Sequence, residues 1–301
     1  MKATIELLRS QVLPDFPSGS SINYYNEKFY LVGDDANYVL ILDAQYQQVD
    51  KIMLFDYPQQ RIPKPVKADL ETSVILPLAG KPHLLVFGSA SLEERKRMIL
   101  IPLMTTDYKR FYPESYGDDF FDQLKNEGIT QMNIEGATII GEQLVLANRG
   151  NNTHTENQLI MVHPEFWKEG MPCQLTISRV SIPSLTKNFP GISELCYVAS
   201  RDLLLVTITS EATSNAYEDG EIADSYIGWI AHAAEKIKAP TIALDGVLNL
   251  PATDPVFLHQ KIEGVCVAQE SADALFLHMV ADNDQGETSL FNVKMIFSEE
   301  K

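Results

Sequence analysis

The chain has 301 residues, of which 45% are hydrophobic and 22% are charged, and its formal net charge is −17 at pH 7. This composition is typical of a globular protein with a sizeable core and excludes a disordered chain. The strong negative charge disfavours nucleic acid and anionic membrane as partners and favours cations. The longest apolar run, MILIPLM at 98–104, is too short to cross a bilayer, and MKATIELLRS lacks the apolar segment of a signal peptide, so we expect a cytoplasmic protein.

Most of the chain consists of short β-branched and aromatic runs separated by Gly, Pro, Asn and Asp, which predicts an all-β fold. A strand over ATIELLRSQVLP comes first, and one helix is predicted at 119–127. A strand, a turn and a second apolar strand then recur along the chain. The five copies are GSSINYYNEKFYLVGDD from 19, LETSVILPLAGKPHLLVFGS from 70, MNIEGATIIGEQLVLANRG from 132, SELCYVASRDLLLVTITS from 193 and IEGVCVAQESADALFLHMVADND from 262.

The spacing of the copies, roughly 50 to 70 residues, is sufficient for one four-stranded antiparallel blade per copy. The sequence therefore predicts one domain over residues 1–301, a five-bladed β-propeller. Too few residues follow the last copy to form a whole blade, so the N-terminal strand is expected to complete that blade and close the ring. A six-bladed propeller is the alternative, if the segment 88–130 contains an extra blade.

A polar residue begins the first strand of every copy. Because first strands line the channel of a propeller, these residues are expected to face one another, and several carboxylates held together need protons or a cation. Oxygen ligands without His or Cys favour a hard ion, and a ring of this size favours Ca²⁺. The alternative is that Glu-Gly at a strand head belongs to a turn. The predicted metal ligands are Ser20, Glu71, Glu135, Glu194 and Glu263.

Polar residues also follow the second strand of each copy, and antiparallel pairing brings them to the same end of the channel. With an ion bound nearby, this surface is suited to a small anionic molecule. Carboxylates there are expected to position a water molecule, and an arginine to contact the anion. The predicted catalytic residues are Asp34, Asp35, Arg149 and Asp282, with Arg95 as a further candidate.

The repeats resemble motifs of the calcium-activated nucleotidases, or apyrases. The segment SSINYYNEKFYLVGDD is similar to that family's Ser-Glu-Leu motif, and VKADLETSV, NIEGATI and KIEGVCV are similar to its three Glu-containing motifs. The resemblance implies a five-bladed propeller with Ca²⁺ in the central tunnel, held by Ser20, Glu71, Glu135 and Glu263. Glu194 falls where that family has a Ser.

Three functions are therefore compatible with the sequence. The first is Ca²⁺-dependent hydrolysis of a nucleotide or other phosphate ester. The second is a non-catalytic propeller in which the ion is structural and the channel end binds a small ligand or a protein. The third is lactonase or esterase activity, as in other calcium-containing propellers.

Overall fold

A computed structural model of the protein describes residues 2–104, 116, 118–171, 173–185, 188–211, 222–282 and 286–298. Within these residues the first ten strands are β1 (Lys2–Leu13), β2 (Gly19–Tyr25), β3 (Lys28–Gly33), β4 (Tyr38–Leu42), β5 (Gln48–Met53), β6 (Leu70–Leu78), β7 (Lys81–Gly88), β8 (Met98–Pro102), β9 (Ile134–Ile140) and β10 (Gln143–Asn148). The remaining strands are β11 (Asn157–Val162), β12 (Thr176–Ser181), β13 (Pro190–Val198), β14 (Leu203–Glu211), β15 (Ile222–Ala231), β16 (Thr241–Ala243), β17 (Gly246–Asn249), β18 (Lys261–Glu270), β19 (Ala274–Asp282) and β20 (Thr288–Ser298). The α-helices are α1 (Asp118–Asn126), α2 (Ala233–Lys236) and α3 (Leu250–Thr253).

The strands form five sheets, which are the blades of a β-propeller. Blade 1 is β2-β3-β4-β5, blade 2 is β6-β7-β8, and blade 4 is β13-β14-β15-β17. Blade 3 contains β9-β10-β11-β12, and β16 pairs in parallel with β12 at its outer edge. Blade 5 is β18-β19-β20, and β1 pairs antiparallel with β20. The predicted five blades and closure by the N-terminal strand are confirmed. The described residues of the segment 88–130 form β8 and α1 and add no blade.

The middle strands are apolar on both faces because each blade is covered by a neighbour on either side. All five residues of β4 are buried, for example, whereas the outer strand β5 is largely exposed. Five hydrophobic clusters are present in the described residues, one at each junction between neighbouring blades. Val39 of blade 1 and Ile99 of blade 2 belong to the same cluster, which shows how the blades share their cores. No helix in the described residues is long and apolar enough to span a membrane.

Every first strand has a register shift near its start, where one residue is passed over in the pairing with the second strand. Such a shift is a β-bulge, and it redirects the side chain of the extra residue. The five bulge residues are Ser20, Glu71, Glu135, Ser193 and Glu263. In blade 4 the structural equivalent of Glu135 is therefore Ser193, and Glu194 is the residue that follows the bulge.

In blades 3 and 5 the residue after the bulge is a glycine that lies against the backbone of the next blade. A Cβ atom on Gly136 would lie 3.0 Å from the backbone nitrogen of Leu195, and one on Gly264 would lie 2.9 Å from that of Ile22. Contacts this short leave no room for a side chain. The Glu-Gly pairs of blades 3 and 5 thus combine a bulge with a close approach between blades.

Side chains of the first strands bind the backbone of the next blade. The N–H of Ser73 donates to Ser21 Oγ at 3.1 Å, and Asn23 Nδ2 donates to the carbonyl of Ser73 at 2.9 Å. The N–H of Tyr197 donates to Thr138 Oγ1 at 3.1 Å. The inner edge of a first strand has no further strand to pair with, so these side chains satisfy polar groups that would otherwise be buried without partners.

Glu194 connects four blades at the channel axis. Its carboxylate accepts hydrogen bonds from Ser21 Oγ in blade 1 at 2.9 Å and from Thr72 Oγ1 in blade 2 at 2.8 Å. It also accepts the N–H groups of Ala137 in blade 3 and of Leu195 in its own blade, both at 2.9 Å. Only 2% of Glu194 is exposed. Burial raises its pKa to about 8, against the lowering effect of the hydrogen bonds from Leu195 and Ala137.

We expect Glu194→Ala to lower the free energy of unfolding by about 3 to 5 kcal/mol, because it leaves two buried N–H groups and two hydroxyls without their acceptor. Glu194→Gln keeps an oxygen for the amides and an NH₂ group for the hydroxyls, so it should cost about 1 kcal/mol. Urea denaturation measures both values. Equal losses for the two variants would contradict this role of the carboxyl group.

The raised pKa of Glu194 also predicts how stability depends on pH. Between its ordinary value of 4.5 and about 8, the folded protein retains a proton that the unfolded chain has released. The contribution of Glu194 to the free energy of unfolding therefore decreases as the pH rises through this range. Stability measured against pH should show this decrease in the native protein and a smaller one in Glu194→Gln. Identical slopes would contradict it.

Candidate functional site

The heads of the five first strands surround one end of the channel, which we call the channel mouth. The bulge residues and the residues that follow the second strands meet there. An inter-blade hydrogen bond sets the position of one of them, because the N–H of Leu70 in blade 2 donates to the carbonyl of Asp34 in blade 1 at 3.3 Å. The side chain of Asp34 is thereby placed beside the head of blade 2.

Three carboxylates meet at this junction. Asp34, Asp69 and Glu71 each offer an oxygen within 4.8 Å of the others, and the group could hold a metal ion. Asp69 is buried, and the other two are half-buried. Oxygen ligands of this kind suit a hard cation.

Two cations already contact part of this cluster. Lys67 Nζ forms ion pairs with Asp34 and, at 2.9 Å, with Asp69. Arg95 Nη1 lies 2.7 Å from the other oxygen of Asp69. Burial acts to lower the pKa of Lys67, but the carboxylates of Asp34, Asp69 and Glu71 outweigh it and raise that pKa. Three carboxylates against two cations leave one negative charge.

Glu71 and one oxygen of Asp34 have no ion pair or hydrogen bond with the described residues, although the other oxygen of Asp34 is paired with Lys67. Asp34 Oδ1 is buried and has no hydrogen-bond partner in the described residues. Burial, and next the carboxylates of Asp69, Glu135 and Asp34, raise the pKa of Glu71 well above its ordinary value. Burial also raises the pKa of Asp34 to about 7, although Lys67 acts against it. Both shifts show that negative charge is disfavoured here unless a proton or a cation compensates it.

In the other two blades that carry a Glu at the bulge, the residue two positions earlier binds that Glu. Asn133 Nδ2 donates to Glu135 Oε1 at 2.6 Å, and Lys261 Nζ lies 2.6 Å from Glu263 Oε1. In blade 2 the residue at this position is Asp69, which cannot donate to Glu71 when ionised. Its backbone is left-handed, with a φ of 54°, a conformation that is strained in a residue with a side chain.

The remaining predicted metal ligands have protein partners. Glu135 Oε2 lies 3.5 Å from Arg149 Nη1, and Ser20 Oγ donates to the carbonyl of Ser18 at 3.2 Å. Glu194 lies on the axis with the four hydrogen bonds described above. Among the five predicted ligands, Glu71 alone belongs to the three-carboxylate cluster.

The predicted catalytic residues divide into two groups. Asp34 and Asp35 lie on blade 1, and the carboxylate of Asp282 in blade 5 is close enough to contribute to the raised pKa of Asp35, whose first cause is burial. Arg149 is buried in blade 3, where its Nη2 donates to Thr209 Oγ1 at 2.7 Å and its Nη1 approaches Ser193 Oγ at 3.5 Å. The structure therefore brings the three aspartates together and places Arg149 with a separate set of partners.

Asp69 and Lys67 were not among the residues predicted for the site. Comparison of the repeats two positions before each bulge residue would have pointed to Asp69, because the other copies have Ser18, Asn133, Gly191 and Lys261 there. Lys67 precedes the repeat and has no counterpart with which to compare it. Arg61 was missed for the same reason, although its Nε lies 2.5 Å from Asp35 Oδ2 and 59% of its side chain is exposed.

Comparison with known proteins identifies a family and a fold. No curated protein matches the chain. The glutaminyl cyclase of Myxococcus xanthus superposes with a TM-score of 0.56 at 12% identity, over 98% of this chain and 97% of that one. The tail fibre of Staphylococcus aureus phage P68 superposes with a TM-score of 0.52 at 9% identity, over 98% of this chain and 53% of that one. The α-L-arabinanase of Cellvibrio cellulosa superposes with a TM-score of 0.47 at 11% identity, over 92% of this chain and 90% of that one.

At these identities the likeness to glutaminyl cyclase and to the tail fibre shows the fold alone. The propeller architecture implied by the resemblance to apyrases is confirmed, whereas these comparisons do not single out the apyrases. The model of the family of unknown function DUF6929 matches residues 15–295. The chain therefore belongs to the family of unknown function DUF6929.

Proposed function

We propose that the protein is a cation-binding propeller whose channel mouth binds a hard divalent ion, Ca²⁺ in the first instance, through Asp34, Asp69 and Glu71. The observation that carries this proposal is the exception in blade 2. Glu135 and Glu263 each have a donor two residues earlier, whereas Glu71 has a second carboxylate at that position. Lys67 and Arg95 form ion pairs with Asp34 and Asp69, and a bound cation would compensate the third carboxylate, that of Glu71.

The chemistry of the cluster supports a hard ion. All candidate ligands are carboxylate oxygens, and Asp34 Oδ1 is buried without a hydrogen-bond partner in the described residues. A bound ion would give that oxygen and Glu71 a common partner, and Lys67 and Arg95 would hold Asp69 and Asp34 in position. The few protein ligands leave room for water or for part of a bound molecule to complete the coordination.

We expect Ca²⁺ to raise the melting temperature of the native protein and to bind with measurable heat in isothermal titration calorimetry. Glu71→Gln should weaken binding at least tenfold, because it removes a charged ligand that forms no hydrogen bond or ion pair with the described residues. It should also leave the ion-free protein as stable as the native one or more stable, because it relieves repulsion from Asp69.

Glu263→Gln is the matched control, because it makes the same change at the bulge of blade 5, where Lys261 already compensates the charge. Its affinity for Ca²⁺ should equal that of the native protein. Absence of binding by the native protein, or equal losses in the two variants, would contradict the proposed site.

Hydrolysis of a phosphate ester at the same mouth is a second function, and it depends on the first. A divalent ion would change the net charge of the cluster from one negative to one positive, which favours an anionic ligand. Arg61 supports this function because its exposed guanidinium lies beside Asp35 at the mouth. In this scheme Asp34, Asp35 and Asp282 position water, and Arg61 contacts the phosphate in place of the enclosed Arg149.

We expect the protein to release phosphate from nucleoside diphosphates or from p-nitrophenyl phosphate in the presence of Ca²⁺. The release should stop when a chelator is added. Asp35→Asn should lower the rate about 100-fold or more if this carboxylate acts as a base. A colorimetric assay for inorganic phosphate measures the release. If Ca²⁺ binds and neither nucleoside diphosphates nor p-nitrophenyl phosphate are cleaved, hydrolysis of these esters is excluded. The proposal that the mouth binds a cation is then unaffected.

A further inference from the structure

A cavity lies on the channel axis beyond Glu194, at the end of the channel opposite the mouth. It has a volume of about 290 Å³ and is lined by the first strands of all five blades. Its lining begins at Glu194 and follows these strands toward their carboxyl ends. We call it the far cavity. Its volume is at the small end of the range for ligand pockets, which suits a small molecule with at most a single ring.

Glu194 at the inner end of the far cavity is a buried acid without a cationic partner. Its four hydrogen-bond donors are two hydroxyls and two backbone amides, all of them neutral. No Lys, Arg or His of the described part of the chain forms an ion pair with it, in contrast to Glu135 and Glu263 at the mouth. An ionised carboxylate in such a place is costly unless a positive charge approaches it.

The lining of the far cavity favours a positive ligand over a negative one. Its described lining residues include Glu194 and Glu270 and no Lys or Arg. Glu270 pairs with Arg201 outside the lining, at 3.7 Å, so Glu194 is the acid that a positive ligand would meet. Asn23 Nδ2 donates to both Ser73 O and Ser73 Oγ, while its Oδ1 accepts no hydrogen bond from the described residues. An acceptor is therefore available on the cavity wall.

Apolar and aromatic groups complete the wall. The lining includes the half-buried residues Tyr24 and Tyr197. It also includes Ile75 and Val267, which are half-buried and pack partly against the clusters between blades. Tyrosine faces attract cations, and the aliphatic groups can cover a short hydrocarbon. A cation with an apolar body matches these features together, whereas a hydrated metal ion matches only the carboxylate.

We propose that the far cavity binds a small organic ammonium ion, with the positive nitrogen toward Glu194 and Asn23 Oδ1 and the hydrocarbon between Tyr24 and Val267. This site is separate from the metal site at the mouth, and either can exist without the other. An anionic molecule of the same size is disfavoured by Glu194, which has no cationic partner in the described residues.

The test compares benzylammonium with benzyl alcohol, which has nearly the same shape and no charge, by calorimetry at mildly alkaline pH. We expect benzylammonium to bind at least about tenfold more tightly. Glu194→Gln should reduce this preference about tenfold, and Glu71→Gln, at the other end of the channel, should leave it unchanged. Conversely, Glu194→Gln should retain the affinity for Ca²⁺.

Val267→Lys provides a second test, because a lysine on the wall would supply a competing ammonium group and Val267 makes no hydrogen bond to Glu194. It should abolish the binding of benzylammonium. Val267 is half-buried and also packs against the cluster between blades 4 and 5, so Val267→Met is the matched control for folding and should retain the binding of benzylammonium. Equal affinities for the amine and the alcohol, absence of binding by the native protein, or unchanged amine binding in Val267→Lys would each overturn the proposal. Loss of amine binding in Glu71→Gln would also do so, because it would place the amine at the mouth.

Discussion

The structure depends on how five first strands meet around one axis. The inner edge of each of these strands faces the channel and has no further strand with which to pair, so its amides and carbonyls need other partners. Side chains from neighbouring blades supply them, as Thr138 does for Tyr197 and Ser21 does for Ser73. Glu194 does the same for several blades at once. The blades are thus joined at the axis by neutral donors and one carboxyl group.

This closure separates two regions of the channel with different chemistry. On one side, the bulges turn polar residues toward the mouth, where acids and bases compensate each other, as Arg149 does for Glu135 and Lys261 does for Glu263. Blade 2 departs from that pattern, because Asp69 stands where blades 3 and 5 have Asn133 and Lys261. On the other side of Glu194 lies a cavity with acids, tyrosines and aliphatic groups. A single propeller therefore offers two environments suited to cations, one for a hard ion and one for an organic ion.

Much of the fold could be predicted from the sequence because each blade contributes a similar inner hairpin. The alternation of short apolar runs revealed the five copies, and the short remainder after the last copy indicated closure by β1. The position of the fourth bulge could not be predicted to the residue. Ser193 and Glu194 are adjacent, and the side-chain pattern alone favoured the acidic one, although only the strand pairing decides which residue is passed over.

The site was predictable in part for a related reason. Glu71 begins a first strand and Asp34 follows a second strand, and both positions recur in the other copies, which allowed both residues to be proposed before their contacts were known. Asp69 and Lys67 lie outside the strands, and their roles depend on a left-handed backbone and on contacts between blades that leave no local pattern. The far cavity has no motif at all, because its walls come from positions scattered over five strands. The resemblance to apyrases correctly implied the propeller architecture, which is common to proteins of many activities.

The measurement that tests the account most directly is anomalous diffraction from crystals soaked in Ca²⁺ and recorded at long wavelength. We expect one peak at the mouth, at about 2.3 to 2.6 Å from carboxylate oxygens of Asp34, Asp69 and Glu71. We expect none on the axis beside Glu194, where hydroxyls and amides already surround the carboxyl group. A calcium ion bound on the axis by Glu194, or a fully soaked crystal without a peak at the mouth, would contradict the account.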